Sequence, residues 1–412
     1  MSVPKLRFKE FGGDWQESSI GQLTKYFKGY AFKSESYKDN GVRIIRVSDL
    51  GRDSIKYDNE AIYLDKVESY DYENWMLKEH DIVITTVGSK PHLVDSAVGR
   101  PIYIRNNNEG LLNQNLLVLR PINQKVESYF IFSQLLDNKY LTHIETIQRG
   151  NANQSNITVK DLQEFKVFSA PKPEQTKIAS FLSSVDEKIS LLTQKHKLLS
   201  QYKQGMMQKL FSQQIRFKAD DGSEFGEWEE TTLGQTGKFI GGGTPSKENS
   251  EFWEGSIPWI SSSDLTEESI FEINITRFIS QNALNQSATK LVPSNSILIV
   301  SRVGVGKVAI TSHEICTSQD FTSLALHKGS SIFFAYLIKS LTPYLLEMNQ
   351  GTSIKGFVKD DLANLELKVP CLEEQTKIAN FLSRIDQKIE VVAQQIEQAK
   401  LWKKGLLQQM FV

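Results

Sequence analysis

A long internal repeat is the feature of this sequence that most restricts its fold. The segment EQTKIASFLS at 174–183 returns as EQTKIANFLS at 374–383, 200 positions later. The match then continues without a gap, and 17 of the 38 positions in 174–211 are identical in 374–411. A repeat of this length marks a duplicated structural unit. The chain is therefore expected to fold as two copies of one plan.

Weaker matches extend the repeat into the segments before the two copies. Ser48-Asp49-Leu50 corresponds to Ser263-Asp264-Leu265, at an offset of 215 instead of 200 residues, so the blocks carry insertions. Runs rich in Val and Ile, bounded by Gly, Asn or Asp, predict strands, and helical patterns lie between them. The predicted strands are 42–47, 81–87, 116–119 and 297–303, and the predicted helices are 129–140 and 332–348. Each block is therefore predicted to be mixed α/β.

The repeated segments themselves have heptad spacing. Apolar residues recur at alternating steps of four and three, which is the pattern of a coiled-coil seam. At 1.5 Å per residue, 38 residues make a rod of about 57 Å, and the obvious mate of each rod is the other copy. The predicted seam residues are Ile178, Leu182, Val185, Ile189 and Leu192 in the first copy and Ile378, Leu382, Ile385, Ile389, Val392 and Ile396 in the second.

These patterns predict two globular α/β domains joined by two long antiparallel helices that form a coiled coil. The predicted boundaries are 1–171 for the first domain, 172–213 for the first helix, 214–371 for the second domain and 372–412 for the second helix. Because the globular blocks differ far more than the helices, they are expected to perform different versions of one task.

Composition narrows the class of protein. The only cysteines, Cys316 and Cys371, form no C-x-x-C pair, and the six histidines lack metal-ligand spacing, so neither a disulfide framework nor a zinc site is expected. No run of 18 apolar residues occurs, and residues 1–10 lack the apolar core of a signal peptide. We therefore expect a cytoplasmic protein with no membrane partner.

Two glycine patterns resemble cofactor-binding loops, but the residues that follow them do not fit a cofactor site. The segment 239–243 fits the F-x-G-x-G pattern of an adenosylmethionine loop, and 304–309 fits the G-x-G-x-x-A pattern of a dinucleotide loop. Turn residues and strand-like residues follow them, where a phosphate site needs a helix N-terminus. The chain has no Pro-Pro dipeptide for an amino-methyltransferase motif and no ATP loop. We expect no catalytic residue, cofactor or metal in this chain.

Charge argues against a protein that coats nucleic acid. The formal net charge is -1, and residues 212–373 carry 13 lysines and arginines against 20 acids. Any DNA binding must therefore use local patches, and the isolated chain is expected to bind DNA weakly.

Polar segments punctuated by glycine, with basic and aromatic residues, are where such patches can form. Asn and Gln can pair with adenine, and Arg or Lys with guanine, although ordinary surface loops contain the same residues. The predicted DNA contacts of the first block are Lys28, Tyr30, Lys33, Arg43, Arg46, Lys90, His92, Asn151, Asn153 and Gln154. Those of the second block are Thr244, Ser246, Lys247, Trp259, Ser262, Arg302, Lys307, Ser353 and Lys355.

Taken together, the sequence resembles the specificity subunit of type I restriction-modification systems over nearly its whole length. The segments that carry the resemblance are the two E-Q-x-K-I-A helix openings, GYAFKSESY at 29–37, RGNANQSNITVKDL at 149–162 and GGGTPSKENSEFWEGSIPWISSSDL at 241–265. The resemblance implies two target-recognition domains, each reading one part of a split, asymmetric site in double-stranded DNA.

The resemblance also implies the partners. Two modification subunits would dock on the helices and adjoining surfaces and methylate adenine with S-adenosylmethionine. Two restriction subunits would add translocation and cleavage driven by ATP and Mg²⁺. All of this chemistry would lie outside the present chain, which would be a non-catalytic subunit.

Two other functions remain open at this point. The first is a DNA methyltransferase or nuclease with an unrecognised site, which would modify DNA without partners. The second is a coiled-coil scaffold whose globular blocks bind proteins.

Overall fold

The computed structural model describes residues 3–51, 54–93, 97–150, 154–348 and 356–411. The chain separates into two compact units, of which unit 1 contains residues 1–192 and 395–412 and unit 2 contains residues 193–394. Each unit therefore holds one globular block, the start of the long helix that follows it and the end of the other long helix.

Short strands form most of unit 1. They are β1 (Gln16–Ser19), β2 (Thr24–Lys28), β3 (Val42–Ile45), β4 (Ile62–Leu64), β5 (Ile82–Thr85), β6 (Val87–Gly88), β7 (Pro101–Tyr103), β8 (Leu111–Leu112), β9 (Leu116–Pro121), β10 (Arg149–Gly150), β11 (Ser155–Asn156) and β12 (Lys166–Ser169). Their sheet orders are β2-β9-β5-β7, β4-β3-β8, β10-β11-β6 and β1-β12.

The helices of unit 1 lie between its strands, except the last, which follows them. They are α1 (Ile20–Leu23), α2 (Ser128–Gln134), α3 (Asn138–Ile147), α4 (Val159–Gln163) and the long α5 (Lys172–Phe211), which continues into unit 2. The single helix predicted at 129–140 is wrong, because the structure divides it into α2 and α3. The Asp137 side chain accepts a hydrogen bond from the Lys139 backbone nitrogen (2.8 Å) and so begins a new helix after the break.

Unit 2 repeats this plan. Its helices are α6 (Leu233–Thr236), α7 (Gln281–Gln286), α8 (Ser331–Met348), α9 (Lys359–Ala363) and the long α10 (Leu372–Met410). Its strands are β13 (Glu229–Thr232), β14 (Gly237–Gly241), β15 (Ile257–Ile260), β16 (Arg277–Ile279), β17 (Leu291–Val292), β18 (Ile297–Ile299), β19 (Val308–Ile310), β20 (Ile315–Thr317), β21 (Thr322–Leu326) and β22 (Glu366–Val369).

The sheets confirm the predicted duplication and the mixed α/β class. The order β14-β21-β18-β19 in unit 2 matches β2-β9-β5-β7 in unit 1, and β13-β22 matches β1-β12. In both units a central strand pairs parallel to one neighbour and antiparallel to another: β3 with β8 and β4, and β15 with β20 and β16. The two blocks thus share a topology although their sequences have diverged.

The long helices are built into the cores of both units. In unit 1 the first turns of α5 pack with the end of α10 and with the globular core around Trp15 and Phe130. In unit 2 the first turns of α10 pack with the end of α5 and with the core around Trp228 and Phe333. Within each unit, the start of one long helix thus meets the end of the other, as expected of antiparallel helices.

Most of the predicted seam residues are buried. Ile178, Leu182, Val185, Ile378, Leu382, Ile385, Val392 and Ile396 are at most 9% exposed, while Ile189, Leu192 and Ile389 are partly exposed. Burial of one stripe on each helix agrees with the heptad pattern. Within the described residues, no helix combines the length and apolar character needed to cross a membrane.

Candidate nucleic-acid interface

The predicted DNA contacts differ in how far they reach the surface. Lys28, Lys33, His92, Gln154, Ser246, Lys247 and Arg302 are exposed, and Tyr30, Arg43, Arg46, Lys90, Thr244 and Lys307 are partly exposed. Trp259 and Ser262 are buried. Asn151, Asn153, Ser353 and Lys355 lie outside the described residues.

Strand pairing in unit 1 brings two predicted loops side by side. Strand β6 pairs with β11 through Gly88 and Ser155. Lys90 and His92 follow β6, and Gln154 comes directly before β11, so both loops leave the same small sheet. The side chains of Lys90, His92 and Gln154 therefore share one edge of unit 1.

Asp49 organises the arginines of the first block. Its buried carboxylate accepts hydrogen bonds from Arg46 Nε (3.2 Å), Arg43 Nη2 (3.2 Å) and Asn59 Nδ2 (2.6 Å). Burial alone would raise the pKa of Asp49, but the hydrogen bonds from Arg46 and Asn59 outweigh it and lower the pKa. The Arg43 side chain is only 9% exposed and lies over the Tyr57 ring (5.1 Å from its centroid), so it supports this cluster from inside.

Tyr30 belongs to an aromatic cluster of unit 1. Its ring centroid lies 5.0 Å from that of Phe32, 4.9 Å from Tyr72 and 4.8 Å from Trp75. Edge-to-face and tilted contacts of this kind stabilise packing. Tyr30 therefore helps to hold the segment between β2 and β3, where Lys28 and Lys33 are exposed.

The corresponding aspartate in unit 2 holds an arginine that the sequence analysis missed. Asp264 accepts hydrogen bonds from the Ser261 backbone nitrogen (2.7 Å), the Ser261 hydroxyl (3.1 Å) and Arg277 Nη2. The Arg277 guanidinium also lies 4.7 Å from the ring centroid of Trp259. No motif surrounds Arg277, and the only sequence signal was that Asp264 repeats Asp49.

The predicted contact Lys307 and the start of the G-x-G-x-x-A pattern, Gly304, both lie in the loop between β18 and β19. Lys307 Nζ donates to the backbone oxygens of Ser262 (3.1 Å) and Leu265 (2.8 Å), so it ties this loop to the turn that carries Asp264. Gly304 has a φ of 79°, a conformation that favours glycine, and no helix follows it. The G-x-G-x-x-A pattern is therefore a turn between two strands, as its strand-like neighbours indicated.

Close packing accounts for two of the three glycines at 241–243. A Cβ at Gly242 would lie 2.0 Å from the Ser318 backbone oxygen, and a Cβ at Gly243 would lie 2.4 Å from the Ala288 carbonyl carbon. Only glycine allows two backbone segments to approach this closely. Gly242 and Gly243 in and beside the F-x-G-x-G pattern therefore serve backbone packing, and Thr244 directly after it hydrogen-bonds Gln319.

Four of the predicted DNA contacts are revised by these positions. Trp259 and Ser262 are 2% and 8% exposed, so neither presents a side chain to a bound duplex. Arg43 Nη2 donates to Asp49 and Asn59 while its Nε is buried, and Lys307 Nζ donates to two backbone oxygens. All four instead support neighbouring residues that do reach the surface.

The first glutamate of each E-Q-T-K-I-A segment is a buried anchor. Glu374 is fully buried and accepts hydrogen bonds from Arg216 Nε (3.1 Å), Arg216 Nη2 (2.8 Å) and Trp228 Nε1 (3.1 Å). This carboxylate joins the first turn of α10 to the segment that enters the globular block. The equivalent residues of unit 1 are Glu174, Arg7 and Trp15.

An aspartate about three turns further along each long helix makes a second repeated junction. Asp386 on α10 accepts hydrogen bonds from Tyr336 of α8 (2.5 Å) and from Lys203 of α5. It thus links the globular block to both long helices within unit 2. In unit 1 the equivalent residues are Asp186, Tyr129 and Lys403.

The charge of Lys339, next to this junction, is expected to make the stability of unit 2 depend on pH. Burial and the nearby Lys203 ammonium lower the pKa of Lys339 to about 8. Below pH 8 Lys339 is charged in both the folded and the unfolded state, so the full cost of burying its charge lowers the free energy of unfolding. This cost disappears as the pH rises toward the ordinary lysine pKa of about 10.4. Lys339→Met should raise the free energy of unfolding by about 1 kcal/mol at pH 7, after allowance for partial exposure, and by much less at pH 10.5.

An apolar side chain should fit this position. Lys339 lies three residues after Tyr336, and Phe132 lies three residues after the equivalent Tyr129 of unit 1, where it is buried. Urea unfolding at several pH values measures the effect, with Lys368→Met as control because the Lys368 side chain is 59% exposed. Equal stability changes for the two variants at pH 7 would contradict the prediction.

Among the described residues, no cluster of three or more His, Cys, Asp or Glu side chains has a geometry that could hold a metal ion.

Comparison with known proteins places both halves of the chain in one family. The family model described as type I restriction modification DNA specificity domain matches residues 12–201 and again residues 226–401. The two matches confirm that the sequence repeat is a duplicated domain of this family.

Individual relatives agree with the family match. The putative type I restriction enzyme MjaX specificity subunit of Methanocaldococcus jannaschii is 26% identical over 98% of this chain and 94% of its own length. The EcoR124I/EcoR124II specificity subunit of Escherichia coli is 35% identical over 39% of this chain and 41% of its own length. The crystal structure of a type I system S subunit from M. genitalium shares the fold, with a TM-score of 0.63, 17% identity and coverage of 100% of this chain and 99% of the other.

Proposed function

The chain belongs to the family of type I restriction modification DNA specificity domains, and from this premise we propose how it selects a DNA site. It is the sequence-specific DNA-recognition subunit of a type I restriction-modification complex and is not itself catalytic. The observation that carries this conclusion is the double family match, which covers both globular blocks and the long helices that follow them.

We propose one DNA-reading surface in each unit. In unit 1 it consists of Lys28, Lys33, Arg46, Lys90, His92 and Gln154, and in unit 2 of Ser246, Lys247, Arg277 and Arg302. Exposed Lys and Arg would contact phosphates and position the duplex, while Gln, Ser and the anchored arginines would contact base edges. Because the two surfaces carry different side chains, the recognised site should be split and asymmetric.

The long helices are proposed to set the spacing between the two parts of the site. They are 40 and 39 residues long, which corresponds to a rod of about 60 Å. A separation of some 35–55 Å between reading surfaces would fit sub-sites about 10–16 base pairs apart. The exposed faces of the same helices are proposed to dock the modification subunits.

The catalytic steps are proposed to lie in partner subunits. Two modification subunits would bring S-adenosylmethionine and methylate adenine, and two restriction subunits would bring ATP- and Mg²⁺-dependent translocation and cleavage. The assembly is expected to act in the cytoplasm, where the host DNA lies.

An exchange of one globular block tests the reading function. Replacing residues 3–170 with the corresponding block of another family member, in cells that supply the modification subunit, should change one half of the methylated site and leave the other half intact. Replacing residues 214–370 in a matched second exchange should change the other half. A block exchange that leaves both halves unchanged, while methylation persists, would rule out DNA reading by the blocks and favour a protein-binding scaffold.

A further inference from the structure

Arg277 is held in place at the surface of unit 2 in a way that leaves donors free. Its Nη2 donates to Asp264 and to the Ser261 hydroxyl (2.8 Å), and its guanidinium lies against the ring of Trp259. In the part of the chain that the structure describes, its Nε and Nη1 have no hydrogen-bond acceptor. The side chain is still 37% exposed, so these donors can reach a ligand.

A related arrangement holds Arg46 in unit 1, where the arginine lies three residues before its aspartate and not thirteen residues after it. Arg46 Nε donates to Asp49 (3.2 Å), and its Nη2 donates to the Glu60 backbone oxygen (2.6 Å). Among the described residues its Nη1 has no acceptor, and the side chain is 31% exposed. Asp49 and Asp264 occupy the same place in the Ser-Asp-Leu repeat, so in each unit the repeated aspartate holds an arginine, although the two arginines come from different positions of the repeat.

We propose that Arg46 and Arg277 each read a guanine, one in each sub-site. This inference rests on the proposed DNA-reading function and deepens it by naming the base. Guanine presents two neighbouring acceptors, N7 and O6, in the major groove, whereas adenine places an amino donor beside its N7. A guanidinium whose free nitrogens are donors only is therefore satisfied by guanine and opposed by adenine.

Fixing the arginine in advance is what makes it selective. An unrestrained arginine loses rotamer freedom when it binds and can turn toward a phosphate of any sequence. Asp264 holds the edge of the Arg277 guanidinium and Trp259 lies against its face. This restraint reduces the rotamer entropy lost on binding and keeps the side chain from turning toward a phosphate. Asp264 is therefore a positioning residue for recognition, and Arg277 is the residue that contacts the base.

Arg302 on the neighbouring loop provides a natural contrast. It is exposed and has no ion-pair partner among the described residues. Gly304 of the same loop approaches Ser262 of the Asp264 turn, with 3.8 Å from an added Cβ to the Ser262 Cβ. An unrestrained cation beside the anchored arginine is suited to a phosphate, so Arg302 should contribute affinity without sequence preference.

The test uses the chain assembled with its modification subunits and a duplex that carries the site identified by methylome sequencing. Each guanine of the two sub-sites is replaced in turn by adenine or by 7-deazaguanine, which lacks the N7 acceptor. The unaltered assembly should lose about tenfold or more in affinity at one guanine per sub-site. Arg277→Ala should abolish this discrimination in one sub-site only, and Arg46→Ala in the other.

Two matched variants distinguish recognition of the guanine from general attraction to phosphates and from loss of the fold. Asp264→Asn should weaken discrimination at the same guanine as Arg277→Ala while leaving the affinity for unrelated DNA unchanged or higher, because the arginine is retained. Arg302→Ala should lower affinity for all sequences alike and reduce the salt dependence by about one counterion. Thermal unfolding of each variant shows whether its fold is intact.

The outcomes distinguish this inference from the proposed function. A recognised site without guanine in either sub-site would overturn the inference and leave the proposed function standing. The same holds if 7-deazaguanine costs nothing at every position, a result that needs no protein variant, or if Arg277→Ala keeps full discrimination. Absence of any recognised site would instead overturn the proposed function.

Discussion

Glu374→Ala is expected to lower the free energy of unfolding of unit 2 by about 3 kcal/mol. The substitution removes the only carboxylate that the described structure gives to Arg216 and leaves the Trp228 indole nitrogen without its acceptor. Both donors lie at the junction of α10 with the globular block, where water has little access. Denaturant unfolding followed by tryptophan fluorescence measures the loss.

Glu373→Ala is the matched control for this prediction. Glu373 precedes Glu374 in the same helical turn but is exposed, so its removal should change stability by no more than about 0.5 kcal/mol. Glu174→Ala should repeat the large loss in unit 1, because Arg7 and Trp15 surround it in the same way. A loss at Glu374 as small as that at Glu373 would show that the repeated anchor does not stabilise the fold.

Shortening both long helices by one heptad should shorten the spacer of the recognised site by about three base pairs. Removal of residues 189–195 and 389–395 takes about 10 Å from each helix. These segments lie between the repeated junctions, so the contacts of Asp186 with Lys403 and of Asp386 with Lys203 are kept. Removing whole heptads also preserves the seam on each helix. Methylome sequencing reads the new spacer directly.

The single deletions are the controls for the helix prediction. Removing 189–195 alone leaves the two helices unequal in length, and the assembly should lose stability and methylation. The double deletion should leave the bases of both sub-sites unchanged. An unchanged spacer, or altered sub-site bases with the old spacer, would contradict the proposal that the helices set the distance.

The features that recur at fixed spacing were predictable from the sequence. The match of 174–183 with 374–383, which differ only at Ser180 and Asn380, revealed the duplication, and its heptad pattern identified residues such as Ile178 and Leu382 that the structure buries. Strands such as β3 and β9 were found because their runs of Val, Ile and Leu end at polar or glycine residues. Local composition and period are sufficient for this level of description.

Features that depend on distant partners were not predictable. Trp259 looked like a surface aromatic beside polar residues, but β-strand pairing buries it beneath Arg277, which is 18 residues away and lies in no motif. The role of Glu374 depends on Arg216, 158 residues earlier in the chain. Basic residues in glycine-rich segments, such as Lys307, reach either DNA or a backbone oxygen, and only the tertiary structure decides between them.

Single-molecule methylome sequencing of a host that carries this chain with its modification subunit tests the central claim most directly. The account predicts adenine methylation at one bipartite, asymmetric motif with a fixed spacer, and no methylation at that motif when either the chain or the modification subunit is omitted. Methylation at a continuous motif, or at the same motif without this chain, would contradict it.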